Sequence, residues 1–362
     1  TDLADIESFH VVQKDHQTIL VIQRFLMLTA RMEERAINYS VSNIATKGVF
    51  LVAIVVLYCL MSDISLGWTI VALTCGVFVA LLINIFAVIG AKHSENPVGV
   101  DVSSKEMLRY GFPLALTTSM GFSIPLVEKL VIRQATSWDI LAVYTAASIF
   151  ITVMNMVKTT VSNIWTPYAY REYQNERKFK DAFFNIGISM TFFVVCILAG
   201  TILTRRWLVL ILDRDYADVM IIAPAIVCGS CFDVLSTIYS IGIYIKKKTI
   251  NQIIVPIVRI IISIPVLFIG LQIWGLQATG IGYLLSIAVS RTVEINMALH
   301  YYGTGRRNYK LFVLMGMSIA VSMLSLFVTS MLFDIIASVG IMLISVNLVW
   351  KELIQTIQWI RK

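Results

Sequence analysis

The sequence has few charged residues, and this shortage defines the class of protein. Charged side chains make up 14% of the 362 residues and hydrophobic ones 58%, whereas a soluble domain carries about 25% charged residues. The apolar residues come in runs of about 20, the length that an α-helix needs to cross a bilayer core. The short alternating segments of a membrane β-barrel are missing. The sequence therefore predicts an all-α, polytopic transmembrane helix bundle.

The sequence also lacks the motifs of catalytic and metal-binding domains. It contains no P-loop, no glycine-rich dinucleotide turn and no nucleophile elbow, and its loops are too short for a separate catalytic domain. The five cysteines lie in apolar runs, and the four histidines are not spaced as zinc ligands. The acids Asp213 and Asp215 leave a lipid-synthesising enzyme open, although their loop favours solvated charge. We expect no catalytic residue, no metal and no cofactor.

The apolar runs predict about ten membrane spans. They cover residues 41–62, 66–91, 107–133, 139–163, 182–204, 218–245, 252–272, 278–300, 311–332 and 335–350. Residues 16–30 are too short and too polar for a full span, so we interpret them as the end of a truncated helix.

The distribution of Lys and Arg predicts how the chain is oriented in the membrane. One set of alternating loops, together with the tail, holds most of the basic residues, including the cluster Lys246–Lys248. The opposite loops hold only Arg205, Arg206 and Arg214. Because cytoplasmic loops are enriched in Lys and Arg, the basic set and the C-terminus are expected in the cytoplasm. The net charge of +7 fits this topology, and we expect no nucleic-acid partner.

Ionisable residues within the predicted spans are the main functional candidates, since each costs about 2.5–3.5 kcal/mol to insert. Five spans each combine an ionisable residue with a polar stripe at helical spacing. We interpret this pattern as a shared polar cavity rather than as helix packing alone. Span 182–204 and the last two spans contain no internal charge and are expected at the periphery. The bases are Lys129, Arg133, Lys158, Arg259 and Arg291, and the acids are Glu128, Asp233 and Glu294.

The sign of these charges favours an anionic substrate. Five bases against three acids suit a phosphate or pyrophosphate, and Arg forms bidentate bonds to phosphate. Arg259 and Lys158 are the first choices for binding, together with Asn155 on the same stripe as Lys158. Internal pairing, for example of Arg291 with Glu294, is the alternative. Arg291, Lys129 and Arg133 are secondary candidates, with the last two expected to reach outward from the end of their span beside Glu128.

Several short stretches resemble one family of membrane proteins. They are "LRYGFPLAL" (108–116), "VEKLVI" (127–132), "LAVYTAAS" (141–148), "IWTPYAY" (164–170) and "WGLQATGIGYLLS" (274–286). Their order and spacing resemble the bacterial flippases that export O-antigen and capsule repeat units, within the multidrug/oligosaccharidyl-lipid/polysaccharide superfamily. Two departures from that pattern are Ala142 in place of Gly and the pair Glu128–Lys129 in place of Asp-Arg.

The resemblance implies a two-lobed, alternating-access transporter. On its register, residues 1–40 are a cytoplasmic segment with the end of a truncated helix, and 41–91 are two remaining helices of the first lobe. Residues 92–106 form a cytoplasmic linker. Residues 107–300 are a complete second lobe of six helices, and 301–362 are two extra helices with a cytoplasmic tail. We therefore expect the chain to be a piece of a longer protein.

The function implied by the resemblance is translocation of undecaprenyl-pyrophosphate-linked oligosaccharide across the bacterial inner membrane. Asp233, Glu128 and Glu294 are then candidates for coupling to a cation gradient. The expected partners are the lipid-linked substrate, membrane lipids, and a polysaccharide polymerase with its export machinery. A cation-coupled multidrug exporter of the same superfamily is the alternative. A polymerase enzyme fits less well, because a long exterior loop with paired arginines is missing, and a purely structural membrane protein would not need charged stripes.

Overall fold

The computed structural model describes residues 17–29, 36–60, 66–89, 103–173, 176–210, 214–302 and 309–360. The chain divides into two compact units, residues 1–100 and 101–362. The predicted RMEER segment (31–35), most of the predicted linker 92–106 and the acid Asp213 lie outside the described residues.

The described residues of the first unit form three helices, α1 (Gln17–Thr29), α2 (Ala36–Leu60) and α3 (Leu66–Ile89). α2 packs against α3. They approach closely at Gly76, where an added Cβ would lie 2.4 Å from the carbonyl oxygen of Thr46. Ser42 bridges the same pair of helices, because its Oγ donates to the Ala80 carbonyl at 3.5 Å and accepts from Asn84 Nδ2 at 2.8 Å. Small and polar residues therefore hold this hairpin together.

The described residues of the second unit form nine α-helices. They are α4 (Ser104–Ala135), α5 (Trp138–Glu172), α6 (Glu176–Thr204), α7 (Val219–Tyr239), α8 (Ile241–Ile245), α9 (Ile254–Trp274), α10 (Gln277–Tyr302), α11 (Tyr309–Phe327) and α12 (Met331–Ile360). Short 3₁₀ segments at Arg205–Leu210, Arg214–Tyr216 and Thr249–Ile253 connect some of them.

Helix α7 forms the centre of this unit. It is almost entirely buried and packs against α5, α6, α10 and α11. α9 packs on α10, α4 packs on α9, and α12 packs on α6. Since α7 is apolar all round except for a few small hydroxyl residues and Asp233, its burial follows from its sequence.

Local signals set the helix ends around the core. Gly275 has φ +55, a conformation that glycine adopts without strain, and its N–H donates to the Leu271 carbonyl at the end of α9. Between α4 and α5, Thr136 N–H donates to Ile132 O at 3.0 Å, and the chain turns at Ser137. These two short connections make α4 antiparallel to α5 and α9 antiparallel to α10, as alternating spans require.

The prediction of an all-α polytopic bundle is confirmed. Within the described residues, nine helices are long and apolar enough to cross a membrane. The predicted span 278–300 corresponds to α10, which is long enough to cross a bilayer at 1.5 Å per residue but falls outside those nine. Its polar residues, including Arg291 and Glu294, lower its hydropathy.

The boundary between the last two helices differs from the predicted one. α11 ends at Phe327, whereas the sequence predicts a span to residue 332. Ser330 Oγ accepts the Phe333 N–H at 3.2 Å, so α12 begins at Met331 and Asp334 lies in its first turn. The periphery is also more charged than expected. Asp334 pairs with Arg205, which is 2% exposed and whose Nη1 donates to Ser325 O at 2.7 Å.

Candidate functional site

A buried carboxylate on α4 collects hydrogen bonds from two other helices. Glu128 is 1% exposed. Arg259 Nη2 on α9 donates to both of its oxygens, at 3.1 and 3.2 Å. Ser263 Oγ, one turn further along α9, donates to Oε1 at 2.9 Å, and Tyr144 OH on α5 donates to Oε2 at 3.2 Å. This "Glu128 cluster" (Glu128, Arg259, Ser263, Tyr144) therefore links α4, α5 and α9 through charge-assisted bonds.

The guanidinium of Arg259 is also held from α10. It lies 5.6 Å from the centre of the Tyr283 ring, a cation–π distance. Tyr283 OH is within 3.0 Å of Ser230 Oγ on α7, and Gly229 gives the ring room, because an added Cβ would lie 2.9 Å from it. The Nε of Arg259 is buried and has no hydrogen-bond partner among the described residues. Such an unsatisfied donor costs about 1–3 kcal/mol.

A second group of charges joins α7 to α10. Arg291 Nε donates to Asp233 Oδ1 at 2.5 Å, and its Nη1 donates to Glu294 Oε2 at 2.8 Å. The ammonium of Lys158 on α5 and the guanidinium of Arg259 both act electrostatically on the Asp233 carboxylate. We call Asp233, Arg291 and Glu294 the "Asp233 cluster".

The two clusters are almost balanced in charge. Together they hold three acids and two arginines, and half-buried Lys158 brings the sum to zero. Removing one partner of a buried pair costs about 3–5 kcal/mol, because the other charge stays uncompensated. The expected excess of free base is therefore small in this conformation. Within the described part of the chain, Lys158 forms neither an ion pair nor a hydrogen bond.

The remaining candidates lie outside these clusters. Asn155 is exposed on α5, on the same face as exposed Thr145, Thr152 and Thr159. Lys129 is half-buried and has no ion pair within the described ranges. Arg133 lies 4.0 Å from the centre of the Trp138 ring. The structure thus unites Glu128 with Arg259 and Asp233 with Arg291 and Glu294, but it does not bring Asn155, Lys129 or Arg133 into either cluster.

The sequence assigns Glu128 to ion coupling and Arg259 to substrate binding, and it does not predict that they pair. In the structure the two side chains form one buried ion pair. The sequence patterns also missed Tyr144, which hydrogen-bonds Glu128 from the buried face of α5. The neighbouring polar stripe of Thr145, Thr152 and Thr159 led to the prediction that the exposed face of α5 contributes to the site. Ser263, Tyr283 and Ser230 did appear in the polar stripes, but their partners could not be assigned.

No group of three or more metal-ligating side chains forms within the described residues. The geometry defines a multi-pass membrane protein whose interior is crossed by charged hydrogen-bond networks. A family model described as "polysaccharide biosynthesis protein" matches residues 18–219, which is more than half of the chain. The chain belongs to this family. No curated protein and no solved structure matches it.

Proposed function

We propose that this protein is a flippase that moves undecaprenyl-pyrophosphate-linked oligosaccharide repeat units across the bacterial inner membrane. Its family supports a role in polysaccharide biosynthesis, and its long apolar helices support a membrane location. The observation that carries the proposal is the pair of buried clusters. Charges in a membrane interior are expensive and are typical of substrate pathways and relays.

In this proposal the paired charges are a switch and Lys158 is a substrate contact. Lys158 is the cation next to Asp233 that is left without a bonded partner, so it can take up an anionic pyrophosphate. The substrate would compete with Glu128 for Arg259, whose buried Nε still has a hydrogen to donate. A ligand shifts a conformational equilibrium only through its different affinity for the two states. Breaking the Glu128–Arg259 pair in exchange for a phosphate contact provides such a difference.

The acids supply the route for coupling to an ion gradient. Asp233 and Glu294 share Arg291, so protonation of either carboxylate would leave Arg291 bonded to the other. The same arrangement is compatible with a cation-coupled multidrug exporter, which remains the second candidate because the clusters and Lys158 together contain as many acids as bases. In the proposed role the protein is not an enzyme, has its C-terminus in the cytoplasm, and works beside the polysaccharide polymerase and export machinery.

Surface polysaccharide in a deletion strain tests this function. The strain lacks its own repeat-unit flippase and expresses this chain in its full genomic reading frame. We expect Lys158→Ala to reduce surface polysaccharide strongly while Lys158→Arg retains it. Lys310→Ala is the control, because Lys310 is a half-buried lysine like Lys158 but belongs to neither cluster, and it bonds the Glu352 carboxylate at 2.7 Å. Normal export by Lys158→Ala would contradict the proposed contact.

A further inference from the structure

A separate cavity lies at one end of the second unit, where α4 begins and where α5 and α8 end. Its volume is about 320 Å³, at the lower limit of ordinary ligand sites, which occupy about 300–1,000 Å³. The residues that line it and carry the argument are Tyr110, Tyr170, Tyr173, Tyr244, Glu106 and Lys247. None of them belongs to the Glu128 or Asp233 cluster.

The tyrosines of this cavity are held in place. The Tyr170 and Tyr244 side chains are half-buried and pack against the hydrophobic core of the second unit. Thr249 Oγ1 donates to the Tyr110 carbonyl at 3.0 Å, which ties the segment after α8 to the start of α4. Lys247 has φ +54, so the turn that presents it adopts a strained conformation. A preorganised aromatic wall loses little entropy when a ligand binds.

The charges in the cavity wall cancel. Lys247 Nζ lies 2.9 Å from Glu106 Oε1, and this bond raises the pKa of Lys247 above its ordinary value. The ammonium therefore stays charged at neutral pH, and so does the nearby carboxylate. An anion entering the cavity would meet the Glu106 carboxylate beside the lysine. The phenols are neutral, so the wall as a whole does not favour an anion over an uncharged ligand.

We propose that this cavity binds a sugar ring. A pyranose has apolar C–H faces and a polar edge of hydroxyls, and tyrosine offers an apolar ring with a polar tip. The Glu106–Lys247 pair supplies one strong acceptor and one strong donor side by side, which suits two neighbouring hydroxyls. A lipid chain would contact the apolar faces of the rings but would leave their hydroxyls and the Glu106–Lys247 pair without a partner, and a free phosphate would meet the Glu106 carboxylate beside the lysine.

The assignment of this sugar to the transported substrate rests on the proposed function, but sugar binding itself does not. Under that function, the cavity opens at the predicted cytoplasmic end of the bundle, beside the basic turn Lys246–Lys248. It would hold a sugar of the repeat unit before the pyrophosphate reaches Lys158. The protein would then recognise the sugar of the substrate at this end of the bundle and the charge of its pyrophosphate at the clusters.

Saturation-transfer NMR on the purified protein in nanodiscs tests the proposal directly. The probes are methyl glycosides of hexoses and N-acetylhexosamines, with inorganic pyrophosphate and glycerol 3-phosphate as anionic probes for a free phosphate and for a lipid headgroup. We expect saturation transfer to the ring protons of at least one glycoside. Tyr173→Ala should weaken its affinity by about fivefold, the value of one aromatic contact. Lys247→Met and Glu106→Gln should weaken it as well.

Two further variants keep the test decisive. Tyr173→Phe retains the ring and is expected to retain most of the affinity even if Tyr173→Ala does not fold. Tyr309→Ala removes an exposed tyrosine outside the cavity and should leave sugar binding unchanged. The proposal is overturned if no glycoside receives saturation, or if the anionic probes bind and lose affinity in Lys247→Met. This experiment measures sugar binding and not transport. Its failure would therefore rule out the sugar site alone, whereas normal export by Lys158→Ala would count against the proposed flippase function.

Discussion

At the residue scale, the protein depends on the pairing of charges inside an apolar bundle. Sequence patterns singled out the ionisable residues that lie within long helices, because charge in a long apolar run is visible without a structure. They could not identify the partners, since Glu128 and Arg259 are far apart in the chain and meet only through the packing of α4 on α9. Tyr144 was missed for a related reason, because an aromatic hydroxyl on an apolar face does not stand out as polar.

The coupling of Glu128 with Arg259 predicts strong non-additivity. Glu128→Gln leaves the Arg259 guanidinium buried without a countercharge, so we expect a loss of about 3–5 kcal/mol of stability. Arg259→Gln should cost a similar amount. The double variant Glu128→Gln/Arg259→Gln should cost much less than the sum, because no charge is left unpaired. Thermal unfolding in detergent micelles measures all three, and additive losses would show that the pair is not coupled.

At the scale of elements, two helices show how far a periodic pattern can be interpreted. The stripe on α5 predicted a polar face correctly, and the structure places Thr145, Thr152, Asn155 and Thr159 there as exposed residues. What the pattern could not tell is that α5 packs on α7 and that Tyr144, beside the stripe, is buried. For α12, the pattern predicted an approximate span but placed Asp334 in a loop. The partner of Asp334 is Arg205, which follows α6 and is far away in the chain, so the sequence could not show that this acid is paired.

The exposed face of α5 predicts a difference in chemical reactivity along a single helix turn. Asn155→Cys and Thr159→Cys should react with a membrane-impermeant thiol reagent, since a polar stripe lining a water-filled pathway is hydrated. Val153→Cys is the matched control, because Val153 is 52% exposed but does not share the helical spacing of the polar stripe. The exposed Cys59 and Cys75 are replaced first. Equal labelling of positions 155 and 153 would contradict a hydrated stripe.

The α2–α3 hairpin provides a test of helix packing in the first unit. Gly76→Ala places a Cβ against the Thr46 carbonyl oxygen at 2.4 Å, and a backbone atom cannot rotate away. We expect the two helices to separate at a cost of about 1–3 kcal/mol, typical of overpacking.

Gly48→Ala is the control for this change, because nothing lies within 4 Å of its added Cβ. It should be neutral or stabilising by up to about 1 kcal/mol, since alanine favours a helix. Thermal unfolding compares the two variants, and equal effects would show that the close approach at Gly76 is not what limits the hairpin.

At the scale of the whole molecule, the fold class follows from composition and the function does not. Nine long apolar helices are a direct consequence of the hydrophobic runs, and membership of the polysaccharide biosynthesis family agrees with the motifs in residues 108–170. That family match ends at residue 219, before Asp233, Arg259, Arg291 and Glu294. The roles of those residues therefore rest on the ion pairs that they form. These pairs can be identified only from the packing of α7, α9 and α10 in the structure.

The most direct test of the central claim is flipping measured in proteoliposomes. Purified protein is reconstituted with a fluorescent undecaprenyl-pyrophosphate oligosaccharide, and an impermeant reagent that destroys the glycan label reports how much of it reaches the outer leaflet. We predict that the wild-type protein exposes the inner-leaflet pool, that Lys158→Ala slows this at least about tenfold, and that Lys310→Ala does not. Equal rates for wild-type and Lys158→Ala protein, or no flipping above protein-free vesicles, would contradict the account.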